Sequence, residues 1–173
     1  MSGSLVLIQE TTVSSPQASV SLTGIDSSFE VYKVVINGYL NSTSSGQRLR
    51  VTVSGTPDTT SNYDFAGVFL RSDSTITTGN SANASEGQYS GLSVSTSPAR
   101  GNHVLYLYDW NDSSKNSYYS FETTGLFDSS TDFLAGHQGG GVHKVNQSCD
   151  GIQFFSSSGN ITGGTFKLYG LVK

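Results

Sequence analysis

Two histidines and a cysteine stand at even spacing late in the chain: His137, His143 and Cys149. Imidazole nitrogen and thiolate sulfur are both zinc ligands. The spacing His-x5-His-x5-Cys matches none of the common zinc patterns, and a fourth ligand would have to come from elsewhere. The two histidines flank a glycine run at 136–141, which reads as a loop with two solvated histidines, followed by a buried thiol. No metal site is assigned to it. The run does not read as a phosphate cradle either, because Val142 and His143 follow where a P-loop needs Lys-Ser/Thr and a helix.

Acidic residues gather at Asp109, Asp112, Asp128 and Asp132. Oxygen-rich loops suit calcium, but the EF-hand spacing and its closing Glu are absent. The plainer reading is an Asx-rich turn after a strand that ends at Trp110, and a structural Ca²⁺ in a sandwich loop is the alternative. Serine is abundant, yet no G-x-S-x-G elbow frames a nucleophile. Glu10, Glu30, Glu86 and Glu122 lie in no context that pairs carboxylates for glycoside hydrolysis. We therefore assign no catalytic residue and no cofactor. Tyr106, Tyr108, Trp110, Tyr118 and Tyr119 fall close together. Aromatic rings beside Asn and Asp make sugar platforms, so Tyr108, Trp110, Tyr118 and Tyr119 are the candidate carbohydrate contacts. The competing reading is burial in a sandwich core or a subunit interface.

The elements that must position these residues repeat with period two, the strand period. Ala18, Val20 and Leu22 alternate with serines, and Leu49, Val51 and Val53 alternate with Arg48, Arg50 and Thr52. Residues 31–40 are apolar on both faces, with Tyr32, Val34 and Ile36 on one and Val31, Val35 and Tyr39 on the other. That pattern implies a central strand or one covered by a neighbour. Further strands are expected at 5–8, 63–71, 88–95, 103–110, 117–123, 151–156 and 165–172. Clusters of Gly, Ser, Asn, Asp and Pro separate them. Only 128–135 offers a turn of helix. About ten short strands joined by turns predict an all-β, two-sheet antiparallel β-sandwich, with the jelly roll favoured. Its expected core contains Val34, Ile36, Leu49, Val51, Val53, Phe69, Leu105, Ile152, Phe154 and Phe166.

The 173 residues are expected to form one domain, 1–173, with 1–10 as an N-terminal arm that adds a strand to a neighbouring protein. Charged residues are 13% of the chain and the net charge is −4, without a cationic stripe, which argues against nucleic acid. Aromatic content of 11% argues against disorder. One cysteine forms no internal disulfide. No secretory leader and no membrane span are expected, because the longest apolar runs are far too short.

Two segments carry a resemblance. Residues 18–37, ASVSLTGIDSSFEVYKVVIN, place a Ser-rich strand before Gly-Ile-Asp-Ser-Ser-Phe and a Tyr-containing apolar strand. Residues 152–170, IQFFSSSGNITGGTFKLYG, place an Ile-x-Phe strand before Ser-Gly-Asn-Ile and a last strand ending Leu-Tyr-Gly. Both resemble the structural proteins of tailed-phage virions: capsid decorations, head fibres and tail appendages. The two matches cover about a quarter of the chain, and the middle matches nothing we can name. The resemblance implies a non-enzymatic component of the virion, most simply a decoration or cement protein on the capsid surface. Its partners would be the major capsid protein or other virion proteins, and it would form a homo-oligomer, with a trimer favoured by analogy. The alternative is a tail or fibre component that binds host carbohydrate.

Overall fold

The computed structural model describes residues 4–73, 76–92, 94–95, 100–127 and 133–172. The structure is all-β. Its strands are β1 (Leu5–Val13), β2 (Ser19–Thr23), β3 (Val31–Asn41), β4 (Gln47–Val53), β5 (Thr56–Pro57), β6 (Tyr63–Arg71) and β7 (Thr77–Ala84). There follow β8 (Gly87–Ser90), β9 (Gly101–Tyr108), β10 (Ser117–Phe127), β11 (Phe133–His143), β12 (Gly151–Ser156) and β13 (Ile161–Leu171). They form two antiparallel sheets packed face to face. The larger runs β1-β13-β3-β9-β10-β11-β6-β7; the smaller runs β2-β12-β4-β5, with β8 also on β4.

Eight strands define a jelly roll. Along the chain the quartets β1-β13-β3-β9 and β2-β12-β4-β8 are filled by strands that cross from sheet to sheet at every step but β4 to β8, the order of a jelly roll. The remaining strands arrive in two insertions. One, with β5, β6 and β7, lies between β4 and β8; the other is the β10–β11 hairpin between β9 and β12. Four of the inserted strands extend the larger sheet along one edge, so that sheet is twice as wide as the jelly roll needs.

The inner faces bury Val34, Ile36, Leu49, Val51, Leu105, Ile152, Phe154 and Phe166 completely, while Val53 and Phe69 pack half-buried against them. The alternation seen in the sequence fixes this sidedness, since a one-residue slip would turn every side chain over. Tyr39 departs from the expected face. A bulge between Ile36 and Tyr39, with Gly38 at φ +69°, turns its ring inward, where its hydroxyl donates to Asn41 Oδ1 at 2.5 Å. Residues 5–10 belong to β1 and pair with β13, which corrects the reading of an arm reaching a neighbour.

The glycine run 136–141 is not a loop. It lies inside β11, between β10 and β6. A Cβ on Gly139 would fall on the Ala66 carbonyl, and one on Gly141 would fall on the Tyr119 ring. Gly139 leaves room for the neighbouring β6 backbone, and Gly141 leaves room for the Tyr119 ring. Gly141→Ala is therefore expected to cost about 1–3 kcal/mol by overpacking, lowering the melting midpoint by several degrees. Truncating Tyr119 in the same background should return part of that loss in a double-mutant cycle. Independent, additive effects would refute the contact.

His137 and His143 likewise sit on the buried face of β11, not in solvent. Six residues of strand hold them about 20 Å apart, too far to share one ion. His137 Nδ1 accepts a hydrogen bond from the Gly91 amide at 2.9 Å, and His143 Nε2 lies 3.2 Å from Asp58 Oδ2. Cys149 is buried, and burial pushes its thiol up to about 11. Of the segment 128–135 read as a turn of helix, 128–132 lie outside the described residues, and Phe133, Leu134 and Ala135 open β11.

Candidate binding face

The four aromatic candidates divide into two pairs. Trp110 is 1% exposed, and its indole N–H donates to the Gly151 carbonyl at 3.0 Å. Tyr119 is 3% exposed, and its hydroxyl donates to the Gln88 carbonyl at 3.0 Å. Both serve the core, where a buried aromatic needs a partner for its polar atom, and neither offers a ring to a ligand. Tyr108 and Tyr118 are 38% and 46% exposed and stand directly opposite each other on β9 and β10, on the outer face of the larger sheet.

That outer face is ordered in rows across β1, β13, β3, β9 and β10. The first row is Leu5, Leu171, Val31, Tyr108 and Tyr118. The second is Leu7, Tyr169, Lys33, Tyr106 and Ser120, with the Lys33 ammonium 5.5 Å from the centre of the Tyr106 ring. The third is Glu10, Lys167, Val35, Val104 and Glu122, with Lys167 Nζ 3.2 Å from Glu10 Oε2. The far end of the same strands carries Thr12, Thr165, Asn37, Asn102 and Thr124. A shallow groove of about 600 Å³ runs from there toward Tyr169 and Gln138, lined by Val35 and Val104 as well as by Asn37 and Asn102. One end of the face is thus apolar and aromatic, and the other is amide and hydroxyl.

Beside Tyr108 a depression of about 490 Å³ is lined by Asp26, Phe29, Glu30, Asp109, Asn111 and Lys115, among others. The Asp109–Asp112 turn is organised by protein groups. Lys115 Nζ lies 2.9 Å from Asp109 Oδ1 and 3.2 Å from Asp112 Oδ2. The hydroxyl and amide of Ser114 donate to Asp112, which with Lys115 holds its carboxyl down to about 2. The Asx-rich turn expected from the sequence is what stands here. Asp128 and Asp132 lie outside the described residues.

Sequence reasoning did not bring Leu5, Leu7, Lys33 and Tyr169 together on one outer face. The signal was present in residues 31–40, which are apolar on both faces although the chain covers only one.

The site and fold together define a jelly-roll sandwich with one broad, partly aromatic face. No protein-family model matches the chain, and no curated protein matches it. Among solved structures it is similar to the VP2 subviral particle of infectious bursal disease virus, at 10% identity and a TM-score of 0.13, over 99% of this chain and 42% of that one. The chain thus spans less than half the length of that neighbour.

Proposed function

We propose that the protein is a non-enzymatic structural component of a tailed-phage virion, binding the capsid surface in many copies and bridging neighbouring subunits. The observation that carries this reading is where its two resembling segments lie. Residues 18–37 supply β2 and most of β3, and residues 152–170 supply most of β12 and of β13. β2 pairs with β12, and β3 with β13. Phe29 of the first segment covers Gly170 of the second, where any side chain would collide with its ring. Within the first segment, the Asp26 amide donates to the Tyr32 hydroxyl at 2.9 Å, and Asp26 Oδ1 accepts the Ser28 amide at 2.8 Å. The residues that resemble virion proteins therefore form one spatial unit that spans both sheets.

Decoration stabilises a shell by mass action, because what binds only the assembled state favours it. Each contact can be modest when an array multiplies it. Quantitative mass spectrometry of purified particles should find on the order of tens to hundreds of copies per virion, and shells lacking the protein should rupture at lower temperature. Confinement to the tail in a few copies would overturn the capsid assignment. The tail-borne, sugar-binding reading keeps one specific observation: exposed Tyr108 borders the depression lined by Asp26, Glu30, Asp109 and Asn111. Glycan binding abolished by Tyr108→Ala would select it.

A further inference from the structure

We infer that the apolar end of the larger sheet's outer face is a self-association surface, whose occupant is a second copy of this chain. This goes beyond the virion assignment and does not depend on it.

A sandwich of antiparallel sheets turns polar residues outward, and the smaller sheet obeys. Its outer face presents Ser19, Ser21, Gln153, Arg48 and Arg50, with Phe155 shielded by the Arg50 guanidinium 4.3 Å from its ring centre. The larger sheet breaks the rule twice: at β6 and β11, where Val68, Leu70 and Leu134 stand exposed, and over a wider area at one end of β1, β13, β3, β9 and β10. There the two rows that begin at Leu5 and Leu7 hold leucine, valine and tyrosine, with Lys33 laid over Tyr106. Leu5, Leu7 and Tyr118 are each close to half exposed. Tyrosine and aliphatic residues with few charges are the composition of an interface core, and contiguous exposed apolar patches mark contact sites.

Charge selects the occupant. On β1, β13, β3, β9 and β10 this face holds Glu10 and Glu122 against Lys33 and Lys167, two of each sign. Lys167 is already paired with Glu10. The chain as a whole carries −4. A balanced face on an acidic protein is one that an equally acidic copy can approach without repulsion. Size agrees. The whole outer face of these five strands, about 4.8 Å apart and nine residues long at about 3.4 Å each, covers about 700 Å², close to the ~800 Å² that each partner gives to a standard interface, with the two apolar rows as its core and the polar rows as its rim. Sheets stacked in this way sit about 10 Å apart.

The test is light scattering coupled to size exclusion over a range of concentrations up to about 100 µM. The wild type is expected at a multiple of 18.3 kDa. Tyr118→Glu and Leu7→Glu, at opposite sides of the face and both exposed, should each weaken association by about tenfold or more, with the thermal melt of the 18.3 kDa species intact. Gln153→Glu on the smaller sheet should leave the mass unchanged. Amide exchange of the wild type needs no variant: β3, β9 and β10 should slow as concentration rises. A wild type that stays monomeric throughout, or an oligomer indifferent to both glutamates, overturns the inference. So does association only with another virion protein seated on this face.

Discussion

Removing residues 165–173 is expected to leave a chain that does not fold in soluble form. The deleted segment is most of β13, which lies between β1 and β3 and hydrogen-bonds to both. It carries Phe166 and Leu168, both fully buried, each worth about 1.5–3 kcal/mol on burial. Its loss would also strip β1 of its partner and open the inner face of β3. Two ladders and two core side chains together rival the ~5–15 kcal/mol by which a domain of this size is stable. Expression of the truncated chain, followed by fractionation and thermal melting, checks this. A soluble product with an unchanged cooperative melt would refute it.

The second large effect is acid destabilisation, driven by buried histidines. Burial depresses His103 to about 3 and His137 to about 4, and it depresses His143 against the opposing pull of Asp58. A depressed histidine resists protonation in the fold but accepts a proton at about 6.5 once unfolded. The unfolded state therefore binds more protons, and stability falls as pH drops below about 6.5, until the folded values are passed. At pH 4 the loss is on the order of 3 kcal/mol for His103 at ~1.4 kcal/mol per pH unit, and smaller for the less deeply placed His137. Denaturant midpoints at pH 7, 5 and 4 should shift steadily downward. His103 is the sharper test. Its ring lies edge-on to Tyr39 and Tyr89, and neither nitrogen has a hydrogen-bond partner among the described residues. His103→Leu removes an unsatisfied polar group, so it should be neutral or stabilising at pH 7 and should flatten the pH dependence. An unaltered slope in that variant would place the acid sensitivity elsewhere.

Most of the sandwich was legible because its strands alternate. β2 and β4 announce their faces through Val20 and Leu22, and through Leu49 and Val51, and both lie where that alternation puts them. Three strands were not legible, and all belong to the insertions; one of them, β5, is only the two residues Thr56–Pro57. β7, Thr77–Ala84, is an edge strand of small polar residues whose faces are largely exposed, so it carries no alternation to detect. β11 contains glycines required by neighbours distant in sequence, and a glycine run by itself signals a loop. The same limit divided the aromatic cluster. Tyr118 and Tyr119 are consecutive, so a strand must turn them to opposite faces, yet only the packed sheets decide which ring meets Gly141 and which meets solvent. The turns were clearer. Ser54 and Gly55 both take positive φ between β4 and β5, as a tight hairpin demands, and Gly159 does so between β12 and β13.

The pairing of the first strand with the last also sets a schedule for synthesis. Leu5 faces Leu171, 166 positions further along. A ribosome adding about 5–20 residues per second reaches β13 on the order of ten seconds after releasing β1. Hairpins such as β9–β10–β11 can zip as they emerge, since their partners are near neighbours in the chain. β1 cannot, because the strand it needs does not yet exist. Contacts this remote place the chain among slow folders. During the wait, the leucines at its leading end depend on chaperones or dilution to escape aggregation, and the strand made first is the last to be seated.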